Sequence, residues 1–162
     1  MDLQIRKYAD QNRNVVIAGL VDLQNVEVLI SDTRVPGSNE GAAVYLGSLL
    51  AAVEEKNGVF LCAHIDQELV GFVVCWIEPE ENPNETPDST TYGYISDAFV
   101  FEKYRGQGIF KQLNMAAEDH LRQFPEIKRI RINVLAKNEQ ALRAYRSAGY
   151  SDYEVMLEKK VQ

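Results

Sequence analysis

Between a strand-like stretch and the most strongly periodic helical stretch of the chain lies Phe101-Glu102-Lys103-Tyr104-Arg105-Gly106-Gln107-Gly108-Ile109-Phe110. Two glycines within one turn let the backbone bend so that several N–H groups point into one concavity. The helix that starts here adds its unpaired first amides and about half a positive charge from its dipole. Such a nest holds a phosphate or diphosphate, and Lys103, Arg105 and Lys111 add formal charge. It is not a Walker loop, which needs Gly-Lys-Ser/Thr, nor a dinucleotide fingerprint, since G-x-G-x-x-G is missing. Taken alone, the glycine pair also fits an ordinary tight turn.

Asp97 is the second residue of chemical interest. It stands in the strand-like run Tyr94-Ile95-Ser96-Asp97-Ala98-Phe99-Val100, where a carboxylate is costly unless paired or functional. Strict alternation places it with Ile95 and Phe99, away from Ser96 and Ala98. There it can take a proton from an incoming ammonium, directly or through water, or serve as a hydrogen-bonded structural carboxylate. His64 and His120 are too isolated for a metal site or a nucleophilic triad, and Cys62 and Cys75 read as buried free thiols. Neither a metal nor a covalent acyl-enzyme is expected.

The elements that must position these groups are legible from periodicity. Leu3–Tyr8 alternates as a strand; Val16, Leu20, Leu23, Val26 and Ile30 mark a helix over 11–30. Ser31–Ser38 breaks it, and a second helix follows from Glu40 to Lys56, stopped by Asn57-Gly58. Val59–Ile65 and Leu69–Glu78 read as a hairpin, Pro79–Thr91 as a surface loop and Tyr92–Phe101 as a strand. Then come a helix over Gly108–Phe124, a strand over Arg129–Leu135, a short helix over Asn138–Ala148 ended by Gly149, and a last strand over Tyr150–Glu158. Antiparallel strands first and a strand–helix–strand crossover later give an α+β fold, one mixed, mostly antiparallel sheet of six to seven strands flanked by helices.

The 162 residues suit a single domain over 1–162. A hydrophobic share of 46% and a charged share of 25% exclude disorder, collagen and a disulfide scaffold. The longest apolar run, Val73–Ile77, is too short to cross a bilayer, and the first residues lack the order of a signal peptide, so a cytoplasmic protein with no membrane partner is expected. A net charge of −7 argues against nucleic acid as a partner. The charge is uneven: residues 1–91 carry 15 acids and 5 bases, residues 92–162 carry 9 acids and 12 bases.

A second motif follows the glycine loop. Asn138-Glu139-Gln140-Ala141-Leu142-Arg143-Ala144-Tyr145-Arg146-Ser147-Ala148-Gly149-Tyr150 places a capping Asn before a helix with Ala141, Leu142, Tyr145 and Ala148 on one face. With the order of elements, the two segments resemble the GNAT superfamily of acyltransferases, whose members transfer an acyl group from acyl-CoA to an amine. The resemblance covers essentially the whole chain and is sharpest from Tyr92 to Gly149. The family's loop Arg/Gln-x-x-Gly-x-Gly/Ala is matched by Arg105 and Gly108, while Phe110 replaces its final small residue. The family's N-x-x-A-x-x-x-Y-x-x-x-G-[FY] is matched throughout.

What the resemblance implies is specific. Acetyl-CoA is the expected cosubstrate, its diphosphate held by the amides of Arg105, Gly106, Gln107, Gly108, Ile109 and Phe110, and its arm by Asn138. By position, the backbone of Phe99 and Val100 pairs with the pantetheine and polarises the thioester carbonyl. Tyr145 protonates the departing thiolate. A phenol with a pKa near 10 suits that task, although a packing tyrosine is the plain alternative. Phe110 shares a helical stripe with Leu113, Ala117, Leu121 and Phe124, which turns it into the core; facing the loop instead, it would obstruct the cofactor.

The expected reaction is direct attack of a primary amine, a small cationic molecule, in a ternary complex. The acidic half of the chain carries the two segments that flank the acceptor cleft in the family, Ser31–Asn39 and Pro79–Thr91, and an acidic rim there would concentrate such a cation. Acetylation of a protein lysine or N-terminus, and a non-catalytic acyl-CoA-binding domain, stand as alternatives. Exposed sheet edges and family habit admit a homodimer.

Overall fold

The computed structural model describes residues 2–161. Five strands lie side by side in chain order: β1 (Leu3–Lys7), β2 (Val59–Ile65), β3 (Glu68–Pro79), β4 (Thr91–Val100) and β5 (Ile130–Ile132). The first four are antiparallel neighbours, and β5 joins β4 in parallel. A tight turn suffices for the β2–β3 hairpin: Asp66 and Gln67 sit at φ of 48° and 73°, the two-residue turn whose twist matches that of paired strands. The parallel pair needs a crossover, and a helix supplies it.

Helices α1 (Arg13–Ile30) and α2 (Asn39–Glu55) cover one face of the sheet, and α3 (Ile109–Leu121) covers the other. A fourth, α4 (Glu139–Ser147), follows β5 and meets the start of α3 through Tyr145 and Phe110. Polar side chains fix where two of them begin: Ser38 Oγ accepts the Gly41 N–H at 3.1 Å, and Asn138 Oδ1 accepts the Ala141 N–H at 3.1 Å. Because both faces are covered, β3 is buried without interruption from Leu69 to Trp76, a continuous apolar run in place of alternation. One cluster (Val16, Leu20, Leu46, Leu49, Phe72, Phe99) lies under α1 and α2; the other (Val73, Ile95, Ile109, Leu113, Leu121) lies under α3.

The fold class is the expected one, with five strands in place of six to seven. Residues Tyr150–Glu158, expected as a last strand, join no sheet: the Tyr150 N–H turns back to Tyr145 O at 3.1 Å, and a strand-like stretch needs a neighbouring strand to bond. The expected strand over Arg129–Leu135 shortens to Ile130–Ile132, because β4 leaves β5 beyond the Ile95–Ile132 pair. Helix α3 stops at Leu121, and the N–H groups of Gln123 and Phe124 turn back to His120 O and Leu121 O, both at 3.2 Å.

Gly19 lets α1 settle onto the sheet. A Cβ there would meet Phe72 Cε1 at 2.7 Å and two Phe99 ring carbons at 3.1 Å, all in the core, whereas a Cβ at Gly47 of α2 meets nothing within 4 Å. Gly47→Ala should therefore stabilise by about 0.5–1 kcal/mol through helix propensity. Gly19→Ala should destabilise by about 1 kcal/mol or more, since overpacking outweighs the same propensity gain. Denaturant midpoints of the two variants check the opposite signs.

Candidate active site

The extra residue in β4 is Ser96. Val74 of β3 stands opposite Asp97, and its neighbour Cys75 stands opposite Ile95, so Ser96 has no partner and the strand is bulged. Two consequences follow. Up to Ile95 the strand pairs with β5; beyond the bulge the two strands part and leave a gap. The bulge also reverses which face each side chain takes: Ile95 packs under α3, but Phe99 packs under α1 and α2. Asp97 therefore lies on the Phe99 side, facing α2, and not with Ile95 as strict alternation requires.

There the Asp97 carboxylate is 8% exposed. It accepts hydrogen bonds from Tyr45 Oη of α2 at 2.9 Å and from Ser96 Oγ at 2.5 Å. Burial raises its pKa above the usual carboxylate value; the two hydrogen bonds oppose that, and Glu27 adds to it. Tyr45, which the sequence offers only as one more residue of an apolar helical face, is thus bound to the most buried acid of the site. Burial, and after it Asp97, hold the Tyr45 phenol well above its ordinary value, so it stays a donor.

Tyr145 enters the same gap from α4. It is 6% exposed, and its ring sits edge-on between Phe110 and Tyr150, with centroids at 5.0 and 5.4 Å. Burial raises its pKa first, then Tyr150, Asp97 and Tyr94. Among the described residues its hydroxyl has no hydrogen-bond partner. Phe110 does not face the loop: it packs against the α3-side cluster and braces the Tyr145 ring.

At the far end of the gap the chain turns through Glu102–Tyr104 into α3, with Gly106 and Gly108 at φ of 75° and 78°. An added Cβ would have open space at either glycine, so backbone conformation alone selects them. Among the described residues the amides from Gly106 to Lys111 meet no acceptor, and the first return bond is Gln112 N–H to Gly108 O at 3.2 Å. Arg105 lies over the edge of the gap, its Nε donating to Val100 O at 2.9 Å. Lys103 is drawn away by Glu68 at 2.6 Å.

The backbone of β4 is sorted by alternation. Phe101 N–H bonds Val70 O, so the peptide groups of Phe99 also turn toward β3, and those of Ala98 and Val100 turn into the gap. Val100 is where the sequence reading places a pairing group, Ala98 is one it passes over, and Phe99 offers its ring to the core instead. Asn138 uses Oδ1 as a cap, which leaves its Nδ2 to donate.

The remaining candidates lie elsewhere. His64 is buried in β2 with Asn12 Nδ2 at 3.1 Å, and His120 meets Asn57 O at 2.9 Å. Cys62 and Cys75 are buried and unlinked, and burial pushes each thiol up to about 12. The acidic loop is largely occupied: Glu80 and Glu85 meet Arg131, and Asp88 meets Arg129. Three of its acids thus pin the loop to β5 and the residue just before it, which weakens the expectation of a free acidic rim there.

The model of the acetyltransferase (GNAT) family matches residues 24–150, from α1 through the whole Asn138–Tyr150 motif. The chain belongs to this family. The spermine/spermidine N(1)-acetyltransferase of Bacillus subtilis (strain 168) is 26% identical over 153 residues, 93% of this chain and 88% of that protein. The uncharacterized N-acetyltransferase YycN of the same strain is 29% identical over 96 residues, and the match spans 59% of this chain and 56% of that relative's length. A single-site mutant of the BH1408 protein from Bacillus halodurans superposes with a TM-score of 0.83 at 21% identity, covering 98% of this chain and 99% of that one. The AAC(6')-Iy structure in complex with the bisubstrate analog CoA-S-monomethyl-acetylneamine gives 0.72 at 15% identity over 100% and 99% of the chains. These likenesses show the GNAT fold.

Titration of Asp97 supplies a test of its setting. A carboxyl whose folded pKa is raised is most favourable to folding below its unfolded value, about 4, and that contribution is lost as pH rises through the folded value. Asp97→Asn should therefore match the wild type at low pH and gain on it progressively as pH rises toward neutrality. A stability difference constant with pH would show a carboxyl that titrates normally.

Proposed function

We propose that this acetyltransferase moves the acetyl group of acetyl-CoA to a primary amine of a small cationic molecule, by direct attack while both substrates are bound. The observation that carries the reading is the buried Asp97 carboxylate, held by Tyr45 and Ser96 where β4 leaves β5. The open amides of Gly106–Lys111 suit the CoA diphosphate, and the peptide groups of Ala98 and the N–H of Val100, whose C=O already accepts from Arg105, suit its amide-bearing arm as an added strand would. Acetyl-CoA supplies the thioester.

An ammonium must lose a proton before it attacks. Asp97, with its raised pKa, takes that proton directly or through a water. Holding the amine against the thioester carbonyl accounts for much of the acceleration, and an N–H of β4 steadies the charge that grows on the carbonyl oxygen. Tyr145 is protonated throughout, so it hydrogen-bonds the sulfur as negative charge develops and gives up its proton to it. Burial disfavours a thiolate as it does a phenolate, so the same surroundings raise both donor and acceptor.

Two things support an amine of positive charge. Asp97 is a buried carboxyl within reach of an incoming ammonium, with Glu27 near enough to raise its pKa, and the proteins similar to this chain include a spermine/spermidine acetyltransferase and an aminoglycoside acetyltransferase.

Thiol release with a panel of polyamines, aminoglycosides and lysine peptides tests the reading after a calorimetric titration with acetyl-CoA. Turnover of free amines above peptides is the expected result; peptides as the better acceptors would transfer the reading to a protein substrate. No binding at millimolar acetyl-CoA would sink it. Tyr145→Phe should lower kcat by about a hundredfold while acetyl-CoA still binds. Gly108→Val, which forces a side chain into the left-handed region at about 1–2 kcal/mol, should weaken acetyl-CoA binding about tenfold.

A further inference from the structure

Asp97 is nine-tenths buried, yet among the described residues no Lys, Arg or His meets its carboxylate; its partners are the hydroxyls of Tyr45 and Ser96. Glu27, the acid that bears on it from α1, already holds Arg34 at 2.9 Å. A buried carboxylate is costly without a paired charge. An ammonium is the charge that offsets the cost.

Both hydroxyls donate to the same oxygen, Oδ2, at 2.9 and 2.5 Å. Oδ1 has no partner among the described residues, and it is the oxygen that can take a proton. Tyr45 gives its one hydroxyl proton to Asp97, so toward any other group its oxygen only accepts. The pull of the carboxylate on that proton makes the oxygen a better acceptor. The two oxygens of a carboxylate are closer together than a hydrogen bond is long, so Tyr45 Oη lies within two hydrogen-bond lengths of Oδ1. One nitrogen can touch both. Tyr45 is also the reachable member of the pair, 43% exposed where Asp97 is 8%. Ala42, Leu46 and Leu49 bury α2 on either side of it, so the phenol is carried on a fixed element.

We propose that the ammonium of the acceptor sits between Asp97 Oδ1 and Tyr45 Oη, which makes Tyr45 a catalytic residue that touches the substrate. The inference rests on Asp97 as the group that takes the amine's proton. One N–H bond breaks and its proton passes to Oδ1. The electron pair stays on nitrogen for attack on the thioester carbon. A second N–H remains on Tyr45 Oη, so the amine keeps its place after its charge is gone.

Steady-state kinetics across pH test this, with the best acceptor of the polyamine and aminoglycoside panel. The other titratable groups around the pair are Glu27 of α1, Tyr94 of β4 and Tyr145 of α4. Burial holds both tyrosines neutral across the acid limb, and Glu27 is the same in every variant. Tyr45→Phe removes a hydrogen bond that favours the carboxylate, so the acid limb of kcat/KM should move to higher pH. KM for the amine should rise about tenfold for the loss of one charge-assisted hydrogen bond. Acetyl-CoA affinity, which also reports an intact fold, should stay the same. A limb and an amine KM both at their wild-type values would overturn the proposal. A fall in kcat alone, equal at every pH, also overturns it, because loss of packing gives that result. Asp97→Asn should abolish the limb. A limb that persists in that variant removes the proton acceptor itself, whatever Tyr45→Phe does, and the proposal falls with it.

Discussion

Everything at the candidate site depends on one unpaired residue in a strand. The bulge at Ser96 sets two features that a regular β4 could not have together. It ends the pairing with β5, which opens backbone groups to the gap, and it rotates Asp97 to the face where α2 waits with Tyr45. Without the bulge, Asp97 would stand beneath α3 among Ile109, Leu113 and Leu121, where no hydroxyl could satisfy it and its burial would be uncompensated. Site and fold are therefore set by the same irregularity.

A second constraint acts from outside the gap. The Arg131 guanidinium lies between the Tyr92 and Tyr153 rings, 4.3 Å from each centroid, and reaches Glu80, Ser89 and Glu85. One side chain of the shortest strand thereby ties the long acidic loop and the last stretch of chain to β5. Stacking on two rings while bonding carboxylates is a task for a planar, permanently charged group. The uneven charge of the two halves of the sequence is in part a complementarity within the molecule.

The sequence carries the loop and the caps plainly, because each demands a particular residue type. Gly106 and Gly108 hold positive φ, Asn138 holds a helix start, and Tyr145 follows it at the spacing that carries it to the gap. Asp97 is legible as an oddity, since acids in apolar strands ask for a reason. Its direction is not, because a bulge has no residue signature and shifts every later side chain by one face. Tyr45 is hidden for a related reason: its helical position marks it as packing, and only the tertiary meeting with Asp97 shows what its hydroxyl does. The unpaired end of the chain has the pattern of a strand without its context.

The two buried thiols have a bearing on chemical safety. A thioester is a reagent as well as a substrate, and it acylates any nearby sulfur that is ionised. Cys62 and Cys75 have no surface to offer, and with values near 12 they are almost never thiolates at neutral pH. A protein that works beside an activated acetyl group is in this way inert to it on sulfur, and the thiol liberated at each turnover is the one reactive sulfhydryl in its vicinity.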